Sequence, residues 1–447
     1  MKIYASNGSV LVEHPTEALK KDLCWFRRSP DGDGQYEYLY SLNAERDMLV
    51  TMPGFAELTR GLCPKHRFRD QRIPLPDPDM DSGMHGVEFC RGAIAKAVKA
   101  GGGTVAVPDV MRPEQVVGAI LRAYPRSGLL DRGTPLSIVA VDGMDNARRV
   151  ASFLRDRLRG RDVEIGSGCD SEDVIVVSAG VLNDAPRNAV GLLVGVNLRG
   201  EDRSVAEAVS GFRTAARWNI LSTPWGGMHR VLDMPSEGLF GPVVSSVTYD
   251  DAVKAGVAMP VTVCWLPCPE PRSPDVSAPL EVLSARAMQD NAPFVRIVRD
   301  VFRGVSGDTG CILTGMAPTL KRLARTMPEE VFVHEGMSAR RRKIAMDDIA
   351  GGSVRKAILS GTFPDEANHR VVVLAECGGA DAVRWFPSRR RSDGGGNTFI
   401  VDFLHKWDVH NGRHGRLLLN DEARARRYAE MGFSQICMED AGQLPFL

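Results

Sequence analysis

The chain lacks an excess of either charge, a membrane-length apolar run and any clustered set of metal ligands. Lys plus Arg and Asp plus Glu both number 56 in 447 residues, so the formal net charge is zero. Whole-chain charge therefore argues neither for nor against nucleic acid, and only local patches can speak. No apolar stretch approaches the ~20 residues of a spanning helix, so no membrane is expected as a partner. Met1-Lys2-Ile3-Tyr4 has no signal-peptide architecture, and the nine cysteines are scattered and odd in number. A reducing cytoplasm is the expected compartment. Cys264 and Cys268 are the closest pair, but no second Cys/His pair stands at ligand spacing, so they read as core thiols and no metal is expected. His405 and His410 share a segment with Asp402 and Asp408, yet their spacing matches no ligand pattern and reads as a solvated loop. A Gly-x-Ser-x-Gly elbow is missing, and Gly394-Gly395-Gly396 lacks the strand-then-helix context of a dinucleotide fingerprint.

What is present is an ordinary soluble composition, 43% hydrophobic and 25% charged, in a chain long enough for two or three domains. Residues 1–80 read as a small module with strands around Tyr36, Tyr38 and Tyr40 and at Met48-Leu49-Val50. Pro74 to Met84, rich in Pro and Asp, reads as a linker. Short apolar runs then alternate with helical patterns over 81–258. The runs are Thr104–Val107, Leu136–Val141, Val174–Ser178, Ala189–Val196 and Trp218–Ser222, with helices at Met144–Leu158 and Ser204–Ala216. The pattern restarts over 259–447 with strands at Cys311–Thr314, Glu330–His334, Ala357–Ser360, Val371–Ala375 and Phe399–Phe403. Helices are expected there at Ala317–Arg325 and Ser338–Ile349. Alternation of this kind predicts parallel sheets covered by helices, in two successive lobes with a cleft between them.

The turn after Thr104–Val107 is the place where a nucleotide-binding enzyme of this kind carries its phosphate loop. That loop needs glycines for close backbone approach, a Lys for the β/γ-phosphates and a Ser or Thr for Mg²⁺. Here Pro108, Asp109, Val110, Met111, Arg112, Pro113 and Glu114 supply none of them. Asp109 and Glu114 repel phosphate, and Pro113 removes a backbone donor.

The order of segments resembles the superfamily-two helicases, in particular the branch-migration-type DEAD/DEAH-like helicases common in bacteriophages. The resemblance runs through Leu49-Val50-Thr51-Met52-Pro53-Gly54-Phe55, where the family's usual Arg is missing. It continues in Gly238 to Val244 followed by Asp251 to Pro260, and in Val331 to Gly336 followed by Arg340-Arg341-Arg342. It closes with Val401-Asp402-Phe403, Asp408, Arg424, Arg427, Tyr428 and Gly432-Phe433. It implies two tandem RecA-like, P-loop NTPase-type parallel-sheet lobes with a small N-terminal α+β module, and a phage-encoded protein acting in the host cytoplasm.

Against that family every catalytic motif departs from pattern. The adenine-reading Tyr-Gln falls on Phe89-Cys90. The acidic pair that holds Mg²⁺ falls on Gly195-Val196-Asn197, which offers no carboxylate. The coupling motif survives partly as Leu221-Ser222-Thr223-Pro224. The second-lobe motif reads Ser360-Gly361-Thr362-Phe363-Pro364-Asp365-Glu366-Ala367. The arginine-finger motif falls near Trp385 to Arg391, where Arg389, Arg390 and Arg391 keep the charge.

Basic clusters at Lys65 to Arg69, Arg340 to Lys343, Arg389 to Arg391 and Arg424 to Arg427 each admit a solvated face as the plain alternative. In such a scaffold nucleic acid is held through its phosphates. The resemblance then assigns nucleic-acid contacts to Thr223, Arg340, Arg341, Thr362, Arg389, Arg390 and Arg391, with no catalytic, cofactor or metal residues. The expected function is a degenerate helicase-like protein that binds single-stranded or forked DNA, or an active helicase or replication partner, without hydrolysing ATP. Alternatives are an active helicase using ATP and Mg with Arg112 replacing the Lys, a purely structural scaffold, and an unrelated α/β enzyme.

Overall fold

The computed structural model describes residues 2–28, 34–43, 45–64, 66–72, 75–83, 87, 90–108, 111–124, 136–166, 173–185, 190–200, 202–212, 214, 216–223, 234–272, 278–288, 290–305, 309–315, 317–334, 336–360, 369–375, 377–379, 397–410 and 413–446. They divide into two units, Met1–Val247 and Thr248–Leu447.

The N-terminal module contains β1 (Lys2–Ala5), β2 (Val10–Glu13), β3 (Cys24–Arg28), β4 (Gly34–Tyr38), β5 (Tyr40–Asn43), β6 (Met48–Thr51) and β7 (Arg67–Asp70). Five of these make a mixed sheet in the order β5-β6-β2-β1-β7, while β3 and β4 form a separate hairpin. Alternation sets its core: Ile3, Ala5, Val10, Val12 and Leu49 face inward with Leu19, Leu23 and Phe55. The module sits on the first lobe through Pro53-Gly54-Phe55. A Cβ on Gly54 would run into the carbonyls of Glu237 and Gly238, and one on Gly238 would meet Met52 and the Phe55 ring. Two glycines at the contact let the backbones meet where any side chain would hold them apart.

The first lobe holds β8 (Gly103–Pro108), β9 (Leu136–Val141), β10 (Val163–Ile165), β11 (Val174–Ser178), β12 (Val190–Val196), β13 (Ala216–Thr223) and β14 (Val243–Ser246). The second holds β15 (Val261–Pro267), β16 (Gly310–Leu313), β17 (Val331–Val333), β18 (Lys356–Leu359), β19 (Val371–Leu374), β20 (Thr398–Leu404) and β23 (Ser434–Cys437), beside a two-stranded ribbon of β21 (Val409–His410) and β22 (Arg413–His414). The sheet orders are β10-β11-β9-β12-β13-β8-β14 and β17-β18-β16-β19-β20-β15-β23. Every pairing in both sheets is parallel. Counted within its own lobe, each sheet runs third, fourth, second, fifth, sixth, first, seventh. Two lobes with one strand order, the first strand inserted between the sixth and seventh, are two RecA-like sheets in tandem.

Burial explains why these runs became strands. All six residues of β8 and all four of β16 and β19 are buried, as central parallel strands covered on both faces must be. Four strands, β10, β14, β15 and β23, join the sheets beyond those predicted. The helix expected over Ser204–Ala216 stops at Ser210, because Ala216 already pairs with Leu192 in the sheet. Part of the expected linker is helical: Met80–Gly83 packs on the helix Pro113–Ala123, with Arg122 donating to the Ser82 carbonyl at 3.0 Å. Within the second unit the Tyr249 ring lies 5.3 Å from Phe433 and its hydroxyl donates to the Met259 carbonyl at 2.9 Å.

Candidate functional site

In open parallel sheets ligands bind outside the carboxyl ends of the strands, where the strand order reverses. In the first lobe that place is the ends of β8, β12 and β13. Pro108 closes β8, Met111 is fully buried with its N–H on the Pro108 carbonyl at 2.8 Å, and Pro113 opens an eleven-residue helix. Glu114, the second residue of that helix, is 1% exposed. Arg149 is 4.0 Å from one of its oxygens, and the other has no hydrogen-bond partner among the described residues. The first turn of a helix is where a phosphate would be held by N–H groups and the helix dipole. Here a buried carboxylate of the chain's own stands in that turn. Arg112, beside it, is exposed. Asp109 and Val110 lie outside the described residues.

The end of β12 is tied by neutral groups. Asn197 has φ 56° and donates its N–H to the Ile220 carbonyl at 2.9 Å, while its side-chain oxygen accepts the Ser222 N–H at 2.7 Å. Asn219 donates to the Leu198 carbonyl at 2.8 Å. A Cβ on Gly195 would come within 3.0 Å of Asn219 and Leu198, so an acidic side chain there has no room without a shift. Cys90 is buried with its thiol on the Val87 carbonyl; Phe89 lies outside the described residues.

The equivalent place in the second lobe, the ends of β15, β19 and β20, corrects a sequence expectation. Asp402, His405 and Asp408 do not lie in a solvated loop: all three are buried. Arg424 donates to both oxygens of Asp402 at 2.9 and 3.0 Å and to Asp421 at 3.0 Å, and Tyr428 donates to Asp402 at 2.9 Å. His405 gives its N–H to Asp421 at 2.6 Å, and its ring sits 3.0 Å from the same carboxylate and 3.7 Å from the Cys377 thiol. Asp408 accepts the Leu417 N–H at 2.7 Å, capping the helix Arg416–Glu430. Burial opposes charge on Arg424, yet Asp402 and Asp421 outweigh it and hold the guanidinium above its ordinary pKa. Burial likewise opposes protonation of His405, and Cys268, Cys377 and Asp421 more than reverse it. The signal for this cluster was in the sequence: Leu417, Leu418, Asp421, Arg424 and Tyr428 recur at helical spacing and form one buried face. Cys264 and Cys268 are core thiols, the first pushed up to about 11 by burial. No group of three or more His, Cys, Asp or Glu among the described residues is arranged to hold a metal ion.

The residues assigned to nucleic acid divide. Arg340 and Arg341 are exposed on the helix Ala339–Ala350, which Ser338 caps through the Arg341 N–H at 3.4 Å. Lys343, also exposed, extends that basic face. Thr223 ends β13 opposite Pro108. Thr362, Arg389, Arg390 and Arg391 lie outside the described residues. Arg424 is removed from any surface, so the C-terminal basic cluster shrinks to Arg426, which is exposed, and Arg427, paired with Glu430 at 3.0 Å.

No protein-family model matches the chain, and no curated protein matches it by sequence. Among solved structures it is similar to bacteriophage T4 UvsW, 12% identical with a TM-score of 0.42, covering 98% of this chain and 99% of that one. It is similar to Saccharomyces cerevisiae Dbp5 bound to RNA and ADP BeF3, 9% identical at TM-score 0.47, covering 81% and 94%. It is also similar to the DUF1998 helicase MrfA bound to DNA, 9% identical at TM-score 0.47, covering 84% and 57%. No helix among the described residues is long and apolar enough to cross a membrane. The chain's own two matching strand orders give it a tandem RecA-like architecture.

Proposed function

We propose that the protein is a helicase-fold, DNA-binding protein that does not hydrolyse ATP, phage-encoded as the family resemblance implies. The observation that carries this reading is Glu114: a buried carboxylate in the first turn of the helix that would have to receive a phosphate. Bringing a nucleotide phosphate beside it sets like charges together in a site of low dielectric. The ends of β12 and β13 add no compensation, because Asn197 and Ser222 bind each other where a metal-bound carboxylate would be needed. Without a γ-phosphate there is no ligand with different affinity for two lobe arrangements, and so nothing to drive translocation.

The test is ATP turnover by the purified protein at low salt, with and without single-stranded and forked DNA. Turnover should not rise above background under either condition. DNA-stimulated hydrolysis that disappears in Arg112→Ala would sink the proposal and establish an active motor with a rebuilt phosphate site.

DNA binding is expected to be independent of sequence and to fall steeply with salt. Arg340→Ala with Arg341→Ala should lower affinity and reduce the slope of log K against log salt by about 1.4, roughly 0.7 for each phosphate contact on a single strand. An unchanged slope would remove that helix from the interface. Failure of the wild type to bind any DNA at low salt would favour a scaffold that acts through protein partners alone.

A further inference from the structure

Between the N-terminal module and the first lobe lies a cavity of about 210 Å³, lined by Asn7, Gly54, Arg72, Gly101, Thr214 and Arg217 among others. It is at the amino end of β8, away from the strand ends described above. Arg217 is 6% exposed. Among the described residues its guanidinium donates only to neutral oxygens: Thr214 Oγ1 at 3.3 Å, the Leu239 carbonyl at 3.4 Å, and the Phe212 carbonyl. No carboxylate among the described residues pairs with it, and burial alone pulls its pKa down, to about 10. A buried arginine is ordinarily matched by an acid, since an unpaired buried charge is costly. Five N–H donors meet three acceptors here, and two of those acceptors belong to Thr214 and Leu239, which line the cavity. Among the described residues the cavity's one lining carboxylate, Glu57, is already engaged by Arg72 at 3.3 Å, and Arg72 also pairs with Asp70. Arg72 is thus matched by two acids, and the charge beside the space that no described carboxylate answers is that of Arg217.

We propose that this cavity binds the phosphate group of a small molecule, with Arg217 as its buried counter-charge and Arg72 at the rim. An oxyanion of this kind accepts from a guanidinium in two parallel bonds, the geometry a carboxylate would otherwise supply. The site is independent of ATP hydrolysis and of the DNA-binding reading, and its failure leaves both untouched.

The experiment titrates inorganic phosphate into the full chain at constant ionic strength set with chloride, following heat and the Tm. Saturable heat and a Tm rise of about 3 °C at tenfold excess over Kd are expected. Arg217→Gln should abolish both. Arg72→Ala, which leaves the buried group in place, should raise Kd about threefold and covers the case in which Arg217→Gln does not fold. Absence of saturable binding in the wild type overturns the proposal. So does an equal Tm rise in Arg217→Gln, which marks a general salt effect, or an unchanged Kd in Arg72→Ala.

Discussion

Replacing Arg424 with Met should cost roughly 3–5 kcal/mol of stability in the second unit, a large share of the about 5–15 kcal/mol that an ordinary domain has. The side chain is fully buried and holds Asp402 through two bonds and Asp421 through a third. Methionine fills similar volume, so the loss is not one of packing. It comes from leaving Asp402 and Asp421 buried with no cation between them, and Tyr428 then faces a carboxylate that has lost its main partner. The guanidinium also lies 5.9 Å over Trp265, whose ring stands edge-on to Tyr428 at 5.7 Å, so the aromatic packing loosens as well. Urea unfolding followed by amide exchange in β15 and β20 would read the effect. Arg424→Met together with Asp402→Leu and Asp421→Asn should recover part of the stability, because removing a buried charge set whole costs less than breaking it. A loss below about 1 kcal/mol in the single variant would mean water reaches the network and that it is not the buried cluster described.

This network also marks how far the sequence could be read. Runs such as Leu136–Val141 and Val174–Ser178 became strands with those bounds, because a strand buried on both faces has no polar residue to confuse its limits. Of the four strands that went unseen, β15 is as apolar and buried as those that were read, and the other three were of another kind. β10 has three residues and β23 is exposed along its length, so neither carries an apolar signature. β14 reads half polar because it lies at the edge of its sheet. That Pro108 to Glu114 carry no Gly, Lys, Ser or Thr was legible, since it depends on residue types alone. What those residues pack against was not. Glu114 reads in sequence as an acid that repels phosphate, and only the packing of its helix shows it buried. Asp402, His405 and Asp408 read as a polar loop because their partners, Asp421 and Arg424, lie on a helix that begins at Arg416 and is brought beside them by tertiary structure. Arg217 was invisible for the same reason: a charged residue at the start of a strand announces nothing about what covers it.

Trp218→Ala should destabilise the first unit by roughly 3–5 kcal/mol, comparable to the loss in the second unit from a different cause. Trp218 is fully buried in β13, pairs in register with Gly103 of β8, and packs its ring 5.6 Å from Tyr124. Its indole N–H donates to the Ala97 carbonyl at 3.2 Å, and the Tyr124 hydroxyl donates to the Val98 carbonyl at 2.7 Å. Two aromatic side chains thus bind the last turn of the helix Arg91–Ala100 to the sheet, immediately before Gly101-Gly102-Gly103 turn the chain into β8. Deleting the indole leaves a cavity between helix and sheet and an Ala97 carbonyl without its partner. Trp218→Phe separates the two contributions: it keeps most of the apolar volume and should cost only about 1 kcal/mol more than the volume change, the net worth of one hydrogen bond. Urea midpoints for the three proteins, with amide exchange in β8 and β13, decide the matter. If Trp218→Ala and Trp218→Phe are equally destabilised, the hydrogen bond outweighs the packing. If neither moves the midpoint, the helix is held to the sheet by other contacts, and the lobe's core does not depend on this aromatic pair.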